Sequence, residues 1–211
     1  EEPTENPNAS KPRYIWIDAA ANFPDFANSK ENIARDLALA KDAGFTDIVV
    51  DVRPTTGDVL FKTNLVDQVK FMYAWIGSNY TKVERTATWD YLQAFVDEAR
   101  KQGLRIHAAI NTFVGGNQID GGTGLLYRDQ SKAEWATQMN MQVGITSVMN
   151  TSESTKFFNP AHPEVQTFLC DLLKDLAGYD LDGIFLDRGR FLNLQADFSE
   201  ESRKQFEEYM G

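Results

Sequence analysis

The stretch Tyr179-Asp-Leu-Asp-Gly-Ile-Phe-Leu-Asp187 predicts a short buried strand, from Gly183 to Leu186, that ends at a carboxylate. Three earlier stretches share this design: Tyr14-Ile-Trp-Ile before Asp18, Asp47-Ile-Val-Val before Asp51, and Arg105-Ile-His-Ala-Ala-Ile before Asn111. Short apolar runs are typical of strands buried on both faces of a parallel sheet. Because functional groups collect at the carboxyl ends of such strands, the sequence predicts one rim that carries four polar side chains: Asp18, Asp51, Asn111 and Asp187.

A helix signal follows each predicted strand. Ser29, Thr88 and Ser199 are predicted N-caps, and Pro163 is predicted to lie in the first turn of a further helix. The first three helices are followed by glycines that favour a helix end: Gly44, Gly103 and Gly178. The order β-α-β-α-β-α-β-α predicts an α/β fold with a parallel sheet and right-handed crossovers.

The predicted loops differ strongly in length. The turns from helix to strand are short, whereas two loops from strand to helix are long, from Val52 to about Ala87 and from Thr112 to about His162. Loops of this length are usually functional or disordered. A short helix is predicted inside the second one, from Lys132 to Gln142. Both loops are rich in aromatic residues, which suit the flat C–H faces of sugar rings or pack the loops down.

The composition excludes several classes of function. The chain has 211 residues and a net charge of −10, so a nucleic-acid partner or an anionic membrane surface is not expected. No apolar run reaches the length of a transmembrane segment. The single cysteine, Cys170, is predicted to be a small buried side chain on the apolar face of a helix. No His, Asp or Glu group has metal-ligand spacing, so no metal and no cofactor is expected.

Residues 1–13 are rich in Glu, Pro, Asn and Ser and predict a disordered tether ahead of one domain, residues 14–211. Such a beginning is typical of an exported bacterial protein after removal of its signal or lipid-anchor segment. We therefore expect a secreted protein or a lipoprotein in the periplasm or at the cell surface.

Five stretches, taken in order, resemble the glycosyl-hydrolase-like family ten proteins. They are Pro12-Arg-Tyr-Ile-Trp-Ile-Asp18, Val52-Arg-Pro-Thr-Thr-Gly-Asp58, His107-Ala-Ala-Ile-Asn111, Phe158-Asn-Pro-Ala-His-Pro-Glu-Val165 and Tyr179-Asp-Leu-Asp-Gly-Ile-Phe-Leu-Asp187. The resemblance covers Arg13 to Gly211 and implies a (β/α)8 barrel of the TIM-barrel type.

The chain is too short for that whole barrel, because an eight-stranded barrel takes about 250 residues. Only the first four βα units are predicted, so we expect the incomplete, N-terminal half of a barrel. A small open doubly wound sheet is the alternative. A half barrel has two open strand edges, so we expect the truncated barrel to self-associate, or the native chain to continue past Gly211.

The resemblance implies a glycosidase, which needs two carboxyl groups. Asp187 is the predicted catalytic residue and the candidate for the acid, with Arg188 and Arg190 beside it. An arginine close to Asp187 would lower its pKa and favour a base or nucleophile, whereas burial would raise the pKa and favour an acid. The family often has a second Asp where Arg188 stands, which argues against a simple Asp–Asp pair at this strand.

Seven side chains are predicted to bind the sugar: Asp18, Asp51, Arg53, Asn111, Phe113, Arg188 and Arg190. For Asp18 and Asp51, a structural hydrogen bond is the stronger alternative. Arg53 and Asp58 are predicted to interact across the turn at Gly57. His107 shares a strand face with Asn111 and is predicted to be a core histidine with satisfied hydrogen bonds.

The predicted function is a glycoside hydrolase that cleaves glycosidic bonds in a polysaccharide or cell-wall glycan, in carbohydrate metabolism. If its second carboxylate lies beyond Gly211, residues 1–211 alone are inactive. The alternative is a non-catalytic carbohydrate-binding surface protein on a degenerate barrel, which Arg188 and the incomplete barrel favour.

Overall fold

The computed structural model describes residues 11–211. Its strands and helices follow in chain order: β1 (Tyr14–Ile17), α1 (Phe23–Phe26), α2 (Lys30–Asp42), β2 (Asp47–Arg53), β3 (Phe71–Ile76), β4 (Asn79–Glu84), α3 (Tyr91–Gln102), β5 (Arg105–Asn111), β6 (Val114–Asn117), α4 (Leu125–Arg128), β7 (Gln138–Met141), β8 (Gly144–Ser147), β9 (Thr155–Phe157), α5 (Pro163–Leu176), β10 (Gly183–Asp187) and α6 (Glu200–Met210).

Four of the strands form one parallel sheet in the order β1-β2-β5-β10. The α/β class and the parallel sheet are therefore confirmed. Apart from the strands of the small antiparallel pairs, consecutive strands of the chain are neighbours in this sheet. The strand order therefore never reverses direction. A doubly wound sheet reverses its strand order at a switch point, so this order does not fit the doubly wound alternative.

The two faces of this sheet differ. One face, with Ile17, Val50, Ile106 and Ala108, packs into the hydrophobic core together with the helices. Right-handed crossovers that wind in one direction place their helices on that same face. The aromatic side chains of the opposite face, which we call the inner face, stay partly in solvent: Tyr14 is 46% exposed, Trp16 46% and Phe185 37%.

The helix boundaries follow local chemistry. Ser29 caps α2 by accepting a hydrogen bond from the Asn32 amide, and Ser199 caps α6 in the same way, as predicted. The predicted cap Thr88 is wrong, because Asp90 caps α3 through its carboxylate. Gly103 ends α3 with φ +65°, a conformation that glycine adopts without a steric penalty.

Two further predictions are wrong. Residues 132–142 do not form a helix, because a 3₁₀ turn ends at Trp135 and strand β7 follows, paired with β8. Cys170 is exposed, because it lies on the solvent side of α5. Its neighbours in the sequence, Phe168 and Leu169, fill the apolar side of that helix instead.

Both long loops contain antiparallel β-structure. The first contains the hairpin β3–β4, and the second contains the pairs β6–β9 and β7–β8. Of the predicted tether, residues 1–10 lie outside the described residues. The Arg13 backbone is hydrogen-bonded to Thr46, because the Arg13 amide donates to Thr46 Oγ1 at 2.8 Å and the Thr46 amide donates to the Arg13 carbonyl at 2.9 Å.

Candidate functional site

The predicted rim is present at the carboxyl end of the parallel sheet. Asp18 follows β1, Asp51 lies near the end of β2, and Asn111 and Asp187 are the last residues of β5 and β10. The last two are paired in register. Asp51 is paired with Ala109, which precedes Asn111 by two residues. Asp51 therefore lies on the same face of the sheet as Asn111 and further from the end of the strands.

Asp51 is the buried carboxyl of the rim, with 8% of its surface exposed. Burial raises the pKa of Asp51 to about 7, and the negative charges of Asp18 and Asp187 act in the same direction. The amides of Arg53 and Ala19 donate hydrogen bonds to it and oppose the shift. Asp51 is therefore a group that keeps its proton up to near-neutral pH.

Asp18 is exposed and forms a tight turn with the loop that follows it. Its Oδ1 atom accepts hydrogen bonds from the amides of Ala20 at 2.8 Å and Ala21 at 2.7 Å. The Asp18 amide in turn donates to Oδ1 of Asn22 at 3.0 Å. One carboxylate oxygen thus orders the loop after β1. Asp18 therefore makes the structural hydrogen bonds that were the alternative to sugar binding for this residue.

Arg53 is fully buried, so it does not present its guanidinium to a ligand at the rim. A bulge in β2 between Asp51 and Arg53 changes the face on which the side chain leaves the strand. The guanidinium donates to the backbone carbonyls of Asn111, Thr112 and Val114. Burial lowers the pKa of Arg53 to about 10.

Arg53 and Asp58 attract each other electrostatically, but their hydrogen bonds go to other partners. Both oxygens of Asp58 accept from the guanidinium of Arg128, with Oδ2 at 2.7 Å from Nη2. Burial raises the pKa of Asp58, and Arg128 opposes that shift. The ion pair connects the first long loop to the second, across 70 residues of sequence.

Asn111 is buried and directs its amide nitrogen inward. Its Nδ2 atom donates to the Arg53 carbonyl at 2.9 Å and lies 3.5 Å from Oδ2 of Asp51. Phe113, two residues further on, is partly buried and packs against the core. Both residues hold the base of the rim in place.

Asp187, like Asp18, is an exposed carboxylate of the rim. Its Oδ1 atom accepts from the Arg188 amide at 2.7 Å, and Arg188 has a left-handed backbone with φ +48°. Arg190 donates to the carbonyls of Phe191 and Leu192 at 2.9 and 2.8 Å. Within residues 11–211, no Arg or Lys side chain forms an ion pair with Asp187.

The sequence interpretation missed two residues near the sheet. Tyr91 is 1% exposed at the start of α3, and its hydroxyl has no hydrogen-bond partner among the described residues. Burial and the charge of Asp51 raise its pKa. Tyr91 lies one residue before Leu92, the first position of the apolar pattern assigned to this helix. That pattern gave no sign that Tyr91 is close to Asp51.

Asp47 is the second missed residue. It is 1% exposed and accepts two hydrogen bonds from Arg105, both at 2.7 Å. Its Oδ1 atom also lies 2.9 Å from Nε2 of His107, so the imidazole has a partner, as predicted for a core histidine. Hydrogen bonding from Arg105 holds the pKa of Asp47 well below its usual range.

Among residues 11–211, no three His, Cys, Asp or Glu side chains are grouped in a way that could bind a metal ion. None of the helices in this part of the chain is both long and apolar enough to span a bilayer.

A family model and the solved structures provide two separate comparisons, one for the family and one for the fold. The family model for Glycosyl hydrolase-like 10 matches residues 11–210. An S-layer-related protein of Niallia circulans is 31% identical over 203 residues, which is 93% of this chain and 12% of that protein. The chain therefore spans only about an eighth of the length of this curated relative.

The most similar solved structures include glycosidases of the TIM-barrel type. Alpha-L-fucosidase isoenzyme 2 from Paenibacillus thiaminolyticus matches 94% of this chain and 26% of its own, with a TM-score of 0.58 and 18% identity. The alpha-galactosidase from Lactobacillus brevis matches 93% of this chain and 23% of its own, with a TM-score of 0.55 and 17% identity. At such identities the likeness concerns the fold alone.

Proposed function

Because the chain belongs to the Glycosyl hydrolase-like 10 family, we propose that it is part of a glycoside hydrolase that cleaves a polysaccharide or cell-wall glycan by carboxylate chemistry. One observation carries the proposal. The rim combines an exposed carboxylate, Asp187, with a buried carboxyl, Asp51, whose pKa is raised to about 7. Two carboxyl groups in different environments are what glycoside cleavage requires.

The roles follow from the two environments. Asp187 is the catalytic carboxylate, because it is exposed on the rim and its backbone is fixed by the sheet. Asp51 is the candidate for the second carboxyl, because it holds a proton under conditions in which an ordinary aspartate has lost one. Asp18 and Arg188, which lie beside them, are the proposed contacts to sugar hydroxyl groups.

The activity belongs to the whole protein, so the experiment uses the full-length chain. We expect it to release reducing ends from at least one polymer in a panel of bacterial cell-wall glycans and plant polysaccharides. Asp187→Asn should lower the rate of this release by about 10² to 10⁴ while its melting temperature stays unchanged. Absence of cleavage by the wild-type protein on every polymer would overturn the proposal.

A second candidate is a non-catalytic carbohydrate-binding surface protein. Two observations favour it: Arg188 stands where the family often has an aspartate, and the relative from Niallia circulans is named S-layer-related. A glycan array separates the candidates. Binding that persists in Asp187→Asn, without turnover by the wild type, would favour the binding protein.

We also propose that the protein is exported to the periplasm or the cell surface, as a secreted protein or a lipoprotein. The composition of residues 1–13 supports this localisation. Fractionation of cells that express the full-length protein tests it, and recovery in the cytoplasm alone would contradict it.

A further inference from the structure

The hairpin β3–β4 presents a strip of aromatic rings to solvent. Trp75 and Tyr80 are directly opposite each other in the hairpin, with ring centroids 5.3 Å apart. Tyr73 stacks on Tyr80 at 5.4 Å with an interplanar angle of 29°. Trp75 is 67% exposed and Tyr80 57%, although isolated large aromatic residues are usually more buried than this.

The strip is held in place by polar contacts at its base. The Tyr73 hydroxyl donates to Oδ1 of Asp120 at 3.0 Å, and Lys82 donates to Oδ2 of the same residue at 2.5 Å. On the other face of the hairpin, Met72 and Val83 pack against the core. The rings are therefore ordered before any ligand arrives, which lowers the entropic cost of binding.

A cavity of about 350 Å³ adjoins the strip. Tyr73 and Tyr80 line one side of it, and the polar side chains of Asn117, Gln118 and Ser154 line another. Its volume lies within the range of ligand-binding clefts, from about 300 to 1,000 Å³. Flat apolar rings with hydrogen-bonding groups at their edge match a pyranose, which has C–H faces and peripheral hydroxyl groups.

The charge of the region favours a neutral ligand. Lys82 is the positively charged side chain beside the strip, and its ion pair with Asp120 already neutralises that charge. A polyanion would need unpaired basic side chains here, and the chain as a whole has a net charge of −10. Neutral sugar units fit this surface better than acidic ones.

The cavity reaches the loops that follow two of the rim strands. Ala20 and Thr55 line it, and they lie in the loops that follow β1 and β2. The Ala20 amide is itself bound to Asp18. Asp187, at the end of β10, is not among the residues that line the cavity, so a ligand that touches both Asp187 and the aromatic strip extends beyond the cavity.

We propose that Tyr73, Trp75 and Tyr80 form a distal sugar-binding subsite, which holds neutral units of a glycan chain whose cleaved bond lies at Asp187. This inference rests on the proposed function and deepens it. The substrate class is then a polymer or a long oligosaccharide, because one ligand occupies both the site at Asp187 and the hairpin.

The test uses the full-length protein with Trp75→Ala, the conservative variant Trp75→Phe and the control Tyr209→Ala. Tyr209 is 87% exposed on α6, so its removal costs no buried contact in this chain. Binding is measured as retardation in native gels that contain galactomannan, xyloglucan or glycol chitin. Activity is measured as kcat and KM on the polymer that is cleaved and on a short aryl glycoside of the same sugar.

We expect Trp75→Ala to weaken retardation and to raise KM on the polymer about tenfold, which corresponds to one lost aromatic contact. Trp75→Phe should keep most of the binding, and Tyr209→Ala should keep all of it. The value of kcat/KM on the aryl glycoside should not change in any variant. A loss of equal size on the short substrate, or none on the polymer, would overturn the subsite.

The binding measurement separates this inference from the proposed function. If the wild type is retarded but cleaves nothing, and Trp75→Ala abolishes the retardation, the subsite stands and the hydrolase proposal fails. If the wild type cleaves a polymer and Trp75→Ala behaves like Tyr209→Ala, the hydrolase stands and the subsite is wrong. Absence of retardation in all three polymers also overturns the subsite.

Discussion

Asp187 and Asn111 are paired in register as the last residues of two neighbouring parallel strands, and the Thr112 amide donates to the Asp187 carbonyl at 2.7 Å. The sheet therefore fixes the backbone of Asp187, whereas its carboxylate extends into solvent. The charge of this side chain can be removed without disturbing the pairing that positions it.

Asp187→Asn should therefore separate catalysis from stability. In the full-length protein we expect a loss of about 10² to 10⁴ in turnover, the usual scale for a positioned acid or base. Asp42→Asn is the matched control, because Asp42 is an exposed carboxylate at the end of α2, just before the amino end of β2 and therefore at the opposite end of the sheet from the rim. Initial rates and thermal melting check both variants. Near-full activity of Asp187→Asn would make Asp187 a structural residue.

Asp51 should make stability depend on pH. Its folded pKa of about 7 lies above the value in an unfolded chain, so the folded state binds the proton more tightly. Its contribution to stability is fully present below about pH 4 and is lost as the pH rises through about 7. We expect the melting temperature of Asp51→Asn, relative to the wild type, to rise across that window. Parallel curves between pH 4 and 8 would contradict the raised pKa.

The contribution of Asp47 to stability should depend on pH in the opposite direction. Its pKa is lowered by Arg105, so its stabilising contribution is present above the unfolded value near pH 4 and is lost as the pH falls below it. Asp47→Asn removes charge-assisted hydrogen bonds to Arg105 and should cost about 1 to 3 kcal/mol at pH 7. Urea unfolding at pH 7 and pH 3 measures the difference, which should shrink at the lower pH. A cost of the same size at both values would argue against this ion pair.

Gly183 is expected to tolerate no side chain. A Cβ atom at this position would lie 2.8 Å from Nδ1 of His107, which Asp47 holds in place from its other nitrogen. Gly183→Ala should therefore destabilise the protein by about 1 to 3 kcal/mol. The comparison is Gly178→Ala, where the added Cβ atom would lie 3.2 Å from its nearest neighbour, the carbonyl oxygen of Asp175. Equal melting temperatures for the two variants would show that the imidazole moves away at little cost.

The inner face of the sheet should drive self-association of residues 1–211. Tyr14, Trp16 and Phe185 are partly exposed there, and β1 and β10 each have one neighbour in the described sheet. Light scattering should show a mass that rises with concentration, and Trp16→Lys should reduce it. Ile145→Lys, at a residue of β8 that is 61% exposed and lies outside the parallel sheet, should leave it unchanged. A monodisperse wild-type monomer would refute the expectation.

The sequence by itself determined the parallel sheet and the rim. Continuous apolar runs predict buried strands, and each run ends at Asp18, Asp51, Asn111 or Asp187. The apolar pattern and the polar residue that ends each run therefore place these four residues together. Ser29 and Ser199 were predictable as caps for the same reason, because a hydroxyl before an amphipathic pattern satisfies free amides locally. The ordered motifs also indicated the family, which the match over residues 11–210 confirms.

Only the tertiary structure decided what each rim residue contacts. Arg53 is turned by a bulge towards three carbonyls, and Arg128, which lies 70 residues beyond Asp58, replaces it as the partner of that carboxylate. The raised pKa of Asp51 depends on burial and on charges from other strands. These properties arise from contacts between segments far apart in the chain, and hydrophobic periodicity reports only which face of a segment is buried.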